Sequence, residues 1–230
     1  MLQFSAEDCE QLLCLQNNNQ RLQDVISLAK HNKLPVIACS KQELTDLAGT
    51  QKHQGCVLMV REGRTSNITL EQILQQLSED SLVLVLDGVQ DPHNLGACLR
   101  SADAAGVTAV IVPKDRAASI TPVVRKVAAG AAESVPLITV TNLARTLKAL
   151  KAAGVWLVGT SGDATQTLYQ VALKGPIAIV MGAEGEGMRR LTTQECDYLV
   201  KLPMRGQVES LNVSVATGIC LFEVLRQRMS

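Results

Sequence analysis

Three stretches of this chain concentrate residue types that bind or react: "DPHNLGACLRSAD" at residues 91–103, "MGAEGEGM" at 181–188 and "LPMRGQVESLNVSVATG" at 202–218. All three fall where an α/β sheet places its ligand sites, just past the carboxyl end of a strand. In the first, Asn94 is suited to capping a helix. Gly96, one turn in, admits a close neighbour at a cost in helix propensity. Arg100 stands less than two turns from a helix start that attracts anions, and its planar fork suits phosphate. The competing reading pairs Arg100 with Asp103 on an exposed helix face. In the second stretch, Gly182, Gly185 and Gly187 call for a sharp turn or a close backbone approach, and Glu184 and Glu186 add two carboxylates.

Several chemistries find no support. The G-x-x-x-x-G-K-[ST] phosphate loop is absent. The nearest approach to a dinucleotide fingerprint, Gly182/Glu184/Gly185/Gly187, comes late in the chain and carries carboxylates that would repel a pyrophosphate. The only histidines, His31, His53 and His93, are scattered, so no metal site is expected. No G-x-S-x-G elbow supports a serine triad. The seven cysteines are odd in number and never in C-x-x-C spacing, which reads as reduced thiols. Aromatics make up 2% of residues and the formal net charge is zero. These values argue against a base-stacking platform and against a strongly basic, non-specific nucleic-acid binder, though Lys114, Arg116, Arg125 and Lys126 form a local basic group. No apolar run approaches the ~18 residues of a membrane span. The N-terminus lacks the basic-then-apolar pattern of a signal peptide, so a cytoplasmic protein is expected.

The elements that must position these clusters follow from apolar periodicity. Strands are expected over residues 82–86, 107–112, 135–140, 155–160 and 177–181, with helices over 94–105, 119–129 and 142–153 between them. Gly106 and Gly154 close the first and third helices. Continuous apolar strands alternating with helices indicate an α/β domain with a parallel sheet covered on both faces. The first 64 residues repeat the alternation on a smaller scale: two helical patterns, a strand at 35–39, a short helix near 41–47 and a strand at 56–61. "QNNNQ" at 16–20 reads as a turn and "EGRTSN" at 62–67 as a linker. Leu70, Ile73, Leu74 and Leu77 then follow the spacing of an amphipathic helix. From 211 to 225 the pattern is apolar around most of a helix, which must be covered on all sides. A second copy of the chain would cover it, so a homodimer through this helix is expected.

Together the three clusters resemble the SpoU/TrmH family of RNA ribose 2′-O-methyltransferases, in the knotted SPOUT class. The family's first motif matches Asn94-Leu95-Gly96 with Arg100. Its glycine–glutamate–glycine loop matches residues 182–187, and its third motif matches Ser210-Leu211-Asn212-Val213-Ser214-Val215-Ala216. The resemblance is strong over about residues 80–230. It is looser over the first 64, where "HQG" at 53–55 and a βαβ-like pattern are similar to the family's small ribosomal-protein-like RNA-binding domain. The family's glycine-led opening segment and apolar first helix are not found there, so that domain is expected to be remodelled or trimmed at its start.

The resemblance implies a small RNA-binding domain over 1–64, a linker with an amphipathic helix over 65–80, and a methyltransferase domain with a deep trefoil knot over 81–230. It implies S-adenosylmethionine as methyl donor, held by Gly182, Leu202 and Leu211. Its catalytic set is Asn94, Arg100, Glu184, Ser210 and Asn212. The implied reaction is methylation of the ribose 2′-hydroxyl of a guanosine in 23S ribosomal RNA, without a metal. A transfer-RNA ribose methyltransferase and a non-catalytic RNA-binding or ribosome-assembly factor on the same fold are the alternatives. Asn212 and Ser210 would orient the hydroxyl or bind cofactor at a helix start, where a plain N-cap is the simpler role.

Overall fold

The computed structural model describes residues 9–16, 19–60 and 68–229. The linker expected at 62–67 and two residues of the turn expected at 16–20, Asn17 and Asn18, lie outside the described residues. The chain divides into two compact units, Met1–Thr65 and Ser66–Ser230.

The first unit runs β1 (Cys9–Cys14), α1 (Gln20–His31), β2 (Val36–Ala38), α2 (Lys41–Ala48) and β3 (Cys56–Val60). Its sheet has the order β2-β1-β3, with β1 parallel to β2 and antiparallel to β3. The expectation of two helices before β2 is therefore corrected, since the first of these segments is strand β1. Cys9, Leu12 and Leu13 mimic helical spacing, but β1 is the central strand. Leu12 and Leu13 are both buried, so the strand loses the alternation of a half-exposed one. Ser40 and Glu43 fix the start of α2 by a reciprocal capping box.

The second unit begins with α3 (Leu70–Gln75), where Thr69 and Gln72 form another capping box and Ile73 is buried. Then come β4 (Leu82–Asp87), α4 (Pro92–Ala104), β5 (Ala109–Pro113), α5 (Pro122–Ala128), α6 (Ala131–Ser134), β6 (Leu137–Val140), α7 (Leu143–Ala152), β7 (Trp156–Thr160) and β8 (Gln166–Thr167). β9 (Ile177–Gly182), α8 (Arg190–Glu195), β10 (Tyr198–Lys201) and α9 (Val213–Arg228) complete it. The sheet order is β6-β5-β4-β9-β7-β10-β8, and each of its pairings is parallel. Side chains alternate between two cores. Leu82, Leu84 and Leu86 of β4 pack with α4 and α9, whereas Val83 and Val85 pack with α3 and α7. The expected α/β sheet covered on both faces is thus the observed one. The short elements β8, β10, α6 and α8 had no periodic signal long enough to read.

Gly106 (φ +67°) and Gly154 (φ +87°) follow the ends of α4 and α7 in the left-handed conformation that terminates a helix. The start of α4 differs from expectation. Proline occupies its first position and Asp91 is the cap, accepting from the His93 amide at 2.9 Å. Asn94 therefore sits inside the first turn, its side chain released from capping. Helix α9 buries Val213, Thr217, Cys220, Leu221 and Val224 against the core. Its other side exposes Val215 (52%) and Phe222 (52%), with Met229 (87%) just past its end, at seven-residue intervals.

Candidate functional site

The three clusters meet at the carboxyl edge of the sheet. The chain leaves β4 at Asp87 and forms a lip, residues 88–91, before α4 begins. It leaves β9 at Gly182 and forms a tight loop, residues 183–188. These two strands are neighbours, with Asp87 opposite Gly182. Between lip and loop lies a cavity of about 200 Å³, bordered by Val89, Gln90, Asp91, Asn94, Glu184 and Glu186, with Val213 at the start of α9.

The loop is held by its own backbone. Ala183 and Gly187 exchange amide hydrogen bonds at 3.0 and 2.9 Å, and Gly185 and Gly187 take positive φ. A Cβ on Gly182 would run into the backbone of Gly187 and Met188, so only glycine closes this turn. Glu184 and Glu186 project from it, exposed.

Asn212 caps α9 and also bridges the clusters. Its Oδ1 accepts from the Ser214 amide at 2.9 Å and the Ser214 hydroxyl at 2.6 Å, while its Nδ2 donates to Oδ1 of Asn94 at 2.9 Å. The bond joins residues 118 apart in sequence. With Asn94 Oδ1 engaged, the Asn94 Nδ2 donors are the part of that amide left for a ligand. The plain-cap role for Asn212 is therefore incomplete, because the same side chain fixes Asn94.

Other expected residues fall differently. Ser210 is exposed, two residues before the cap. Arg100 lies on α4 outside the cavity lining, and six residues on from Asn94 it stands about 9 Å further along the axis. Asp103 accepts instead from the Ser134 hydroxyl, so the Arg100–Asp103 pairing is not formed, and Arg100 has no ion-pair partner among the described residues. Gly182, Leu202 and Leu211 do not line this cavity. Leu202 and Leu211, both half-buried, flank an irregular segment between β10 and α9. Of the basic group, Arg125 is paired with Glu133.

Gly96 opens no ligand space. A Cβ there would lie 2.7 Å from Val127 Cβ and 2.9 Å from the Val124 carbonyl, so the glycine serves the approach of α5. Burial pushes the Cys98 thiol up to about 11 and the Cys220 thiol up to about 12, leaving neither as a thiolate nucleophile near neutrality. Residues that sequence reasoning missed are Asp87 and Arg189. The Asp87 side chain is wholly buried and paired with Arg189, which follows the loop. The single charge ending an apolar strand, "LVLVLD", was the available signal.

Residues 81–222 match the SpoU rRNA Methylase family, and residues 1–66 match the domain described as RNA 2'-O ribose methyltransferase substrate binding. The 23S rRNA (guanosine-2'-O-)-methyltransferase RlmB of Pseudomonas putida is 54% identical over 230 residues, covering 99% of this chain and 92% of that protein. A crystal structure of an RNA 2'-O ribose methyltransferase superposes with a TM-score of 0.81 at 30% identity, covering 100% of this chain and 85% of its own. The SpoU methyltransferase AviRb of Streptomyces viridochromogenes, in complex with the cofactor AdoMet, superposes at 0.80 with 25% identity, covering 99% and 87%. The bridged asparagines, the Glu184 loop and the sheet that carries them all lie in the matched span, and the chain belongs to the SpoU rRNA methylase family.

Proposed function

We propose that this protein methylates the ribose 2′-hydroxyl of a guanosine in 23S ribosomal RNA, with S-adenosylmethionine as donor. The observation that carries the reading is the Asn212–Asn94 hydrogen bond, which ties the third motif to the first at a cavity that Asn94 and Glu184 both line. A non-catalytic factor on this fold would have no use for that assembly. The named activity of the P. putida relative, 54% identical, supports the same substrate.

The residues present fit the donor. The cavity is bordered by Asp91, Glu184 and Glu186 with no cation, a setting that favours a positive sulfonium. The tight turn at Gly182 ends β9, and the half-buried Leu202 and Leu211 stand at the two ends of the segment between β10 and α9, so these residues offer fixed backbone and apolar surface. When bound, S-adenosylmethionine supplies an activated methyl group, so the remaining difficulty is the weak hydroxyl nucleophile. Asn94 Nδ2 orients that hydroxyl, with Asn212 and Ser210 supporting it at the start of α9. A guanidinium does not give up its proton near pH 7. Arg100, exposed and with no ion pair among the described residues, instead clamps the phosphate beside the target ribose. The hydroxyl proton passes to that phosphate, to Glu184 or to water.

In this reading residues 1–64 are a small ribosomal-protein-like domain that holds RNA, 65–80 connect it, and 81–230 carry the chemistry. The match of residues 1–66 to a substrate-binding domain supports the first assignment. In this reading the second unit carries the family's trefoil knot; β9 lies between β4 and β7, the chain then goes to β10 beyond β7, and α9 returns to pack on α4, an order such a knot can take. The exposed stripe of Val215, Phe222 and Met229 supports a homodimer through α9. No helix among the described residues is long and apolar enough to cross a membrane, in keeping with a cytoplasmic enzyme acting on ribosomal RNA.

Mapping of 2′-O-methyl positions in ribosomal RNA from cells with and without the gene tests the proposal. One guanosine of 23S RNA should lose its mark. An unchanged 23S map, or calorimetry detecting no S-adenosylmethionine binding, refutes it.

A further inference from the structure

Asp87 ends the inner strand β4 with a carboxylate whose side chain is 0% exposed. Its partners come from one residue. The Arg189 amide donates to Oδ2 at 2.9 Å, and the Arg189 guanidinium donates to Oδ1 from Nε at 2.6 Å and also from Nη2. A carboxylate withdrawn from water in this way must keep its partner, because losing it leaves an uncompensated buried charge.

The location gives the pair more than a packing role. Asp87 is the last residue before the lip, and Arg189 is the first after the Glu184 loop. The two walls diverge at this point: Asp87 is opposite Gly182 in the sheet, and a Cβ on Gly88 would lie 3.4 Å from Ala183 Cβ. Beyond it, the lip leads to Asn94 and the loop carries Glu184, with the cavity between them. The loop is already closed on itself by the Ala183–Gly187 bonds, so its own shape is fixed. Its angle against the lip then depends on where its exit is tied.

We propose that the Asp87–Arg189 pair is a positioning device that sets the Glu184 loop against the Asn94 lip. The proposal rests on reading this cavity as the methyl-transfer site. The arrangement suits the task, since guanidinium Nε and Nη2 converge on Oδ1 while the Arg189 amide holds Oδ2, fixing direction as well as distance where a lysine would supply only charge.

A kinetic double-mutant cycle on the full-length protein tests it, with methyl transfer to a 23S RNA fragment at saturating S-adenosylmethionine and RNA. Arg189→Lys keeps the charge and loses the fork. It should lower kcat about tenfold or more while the KM for RNA moves less than about threefold. In an E184A background the same substitution should cost less than about twofold, because the group being positioned is already gone. Asp87→Asn, which removes the buried charge, is put through the same cycle with the same expectation, so a folding failure of one variant leaves the other to decide. A wild-type kcat in R189K, or an equal loss with and without Glu184, overturns the proposal in favour of a purely structural pair. A wild-type kcat in E184A alone overturns the proposal, since nothing is then gained by positioning that loop, whereas the methyl-transfer reading itself fails only if the wild-type protein transfers no methyl group to the RNA.

Discussion

Asn212 commits both ends of its amide within the protein, Oδ1 to Ser214 and Nδ2 to Asn94, so removing it does two separable things. Loss of a helix cap costs about 1 kcal/mol. Release of Asn94 removes the orientation of the donor that faces the proposed hydroxyl. We therefore expect Asn212→Ala to lower the thermal midpoint by only a few degrees, since about 1 kcal/mol corresponds to ~2–4 °C in a domain of this size. Its methylation rate should fall far more than that stability change explains. A rate loss no larger than the lost folded fraction would assign Asn212 to capping alone. Arg100 offers a cleaner case, because it is exposed and makes no ion pair among the described residues that a substitution would break. Arg100→Ala should keep the wild-type thermal midpoint and lose at least ~10²-fold in rate, as for removal of one electrostatic contact to the reacting group. Methylation at the wild-type rate would rule out Arg100 as the phosphate clamp.

Close packing accounts for two glycines of the motifs. Gly96 lets α5 lie against α4, and the nearest atoms to a Cβ there include the Val124 carbonyl, which belongs to the α5 backbone and cannot rotate away. Alanine would gain up to ~1 kcal/mol of helix propensity, whereas overpacking of this kind costs ~1–3 kcal/mol. The second effect wins, so Gly96→Ala should lower the thermal midpoint measurably by calorimetry. An unchanged or raised midpoint would show that the α4–α5 contact yields. Gly182 is the complementary case, where the obstacle is the returning backbone of its own loop. At this scale the sequence was readable where elements are long and periodic, as in α4, α7 and the strands β4, β5 and β9. It misled at β1, where burial on both faces erased the alternation that marks a strand.

Across the whole molecule, the buried clusters divide cleanly. One lies entirely within the first unit, and the other two lie on opposite faces of the second unit's sheet. Among the large apolar side chains that the second unit leaves exposed is the stripe on α9, with Phe222 half exposed between Val215 and Met229. Burying such a stripe against its copy would remove apolar surface worth ~25 cal/mol per Å². We expect the wild-type protein to be a dimer by light scattering at micromolar concentration and Phe222→Glu to shift it toward monomer. A monomeric wild type would remove the dimer from the proposed function.

By itself the sequence determined the class of fold, because apolar runs of strand length alternating with capped helices leave few alternatives to a parallel sheet covered on both faces. It also named the reactive residue types, since Asn94, Glu184 and Asn212 stand in motifs separated by fixed intervals. Only the tertiary structure decided which of these residues meet. Asn94 and Asn212 are 118 residues apart and share a hydrogen bond because β4 and β9 are adjacent and α9 returns onto α4. It also decided that Asp91, not Asn94, caps α4, and that Asp87 and Arg189 are joined beneath the cavity. Periodicity reports which face of an element is buried, through the repeat of 3.6 or 2 residues. It contains nothing about which distant side chain waits on the other side of that contact.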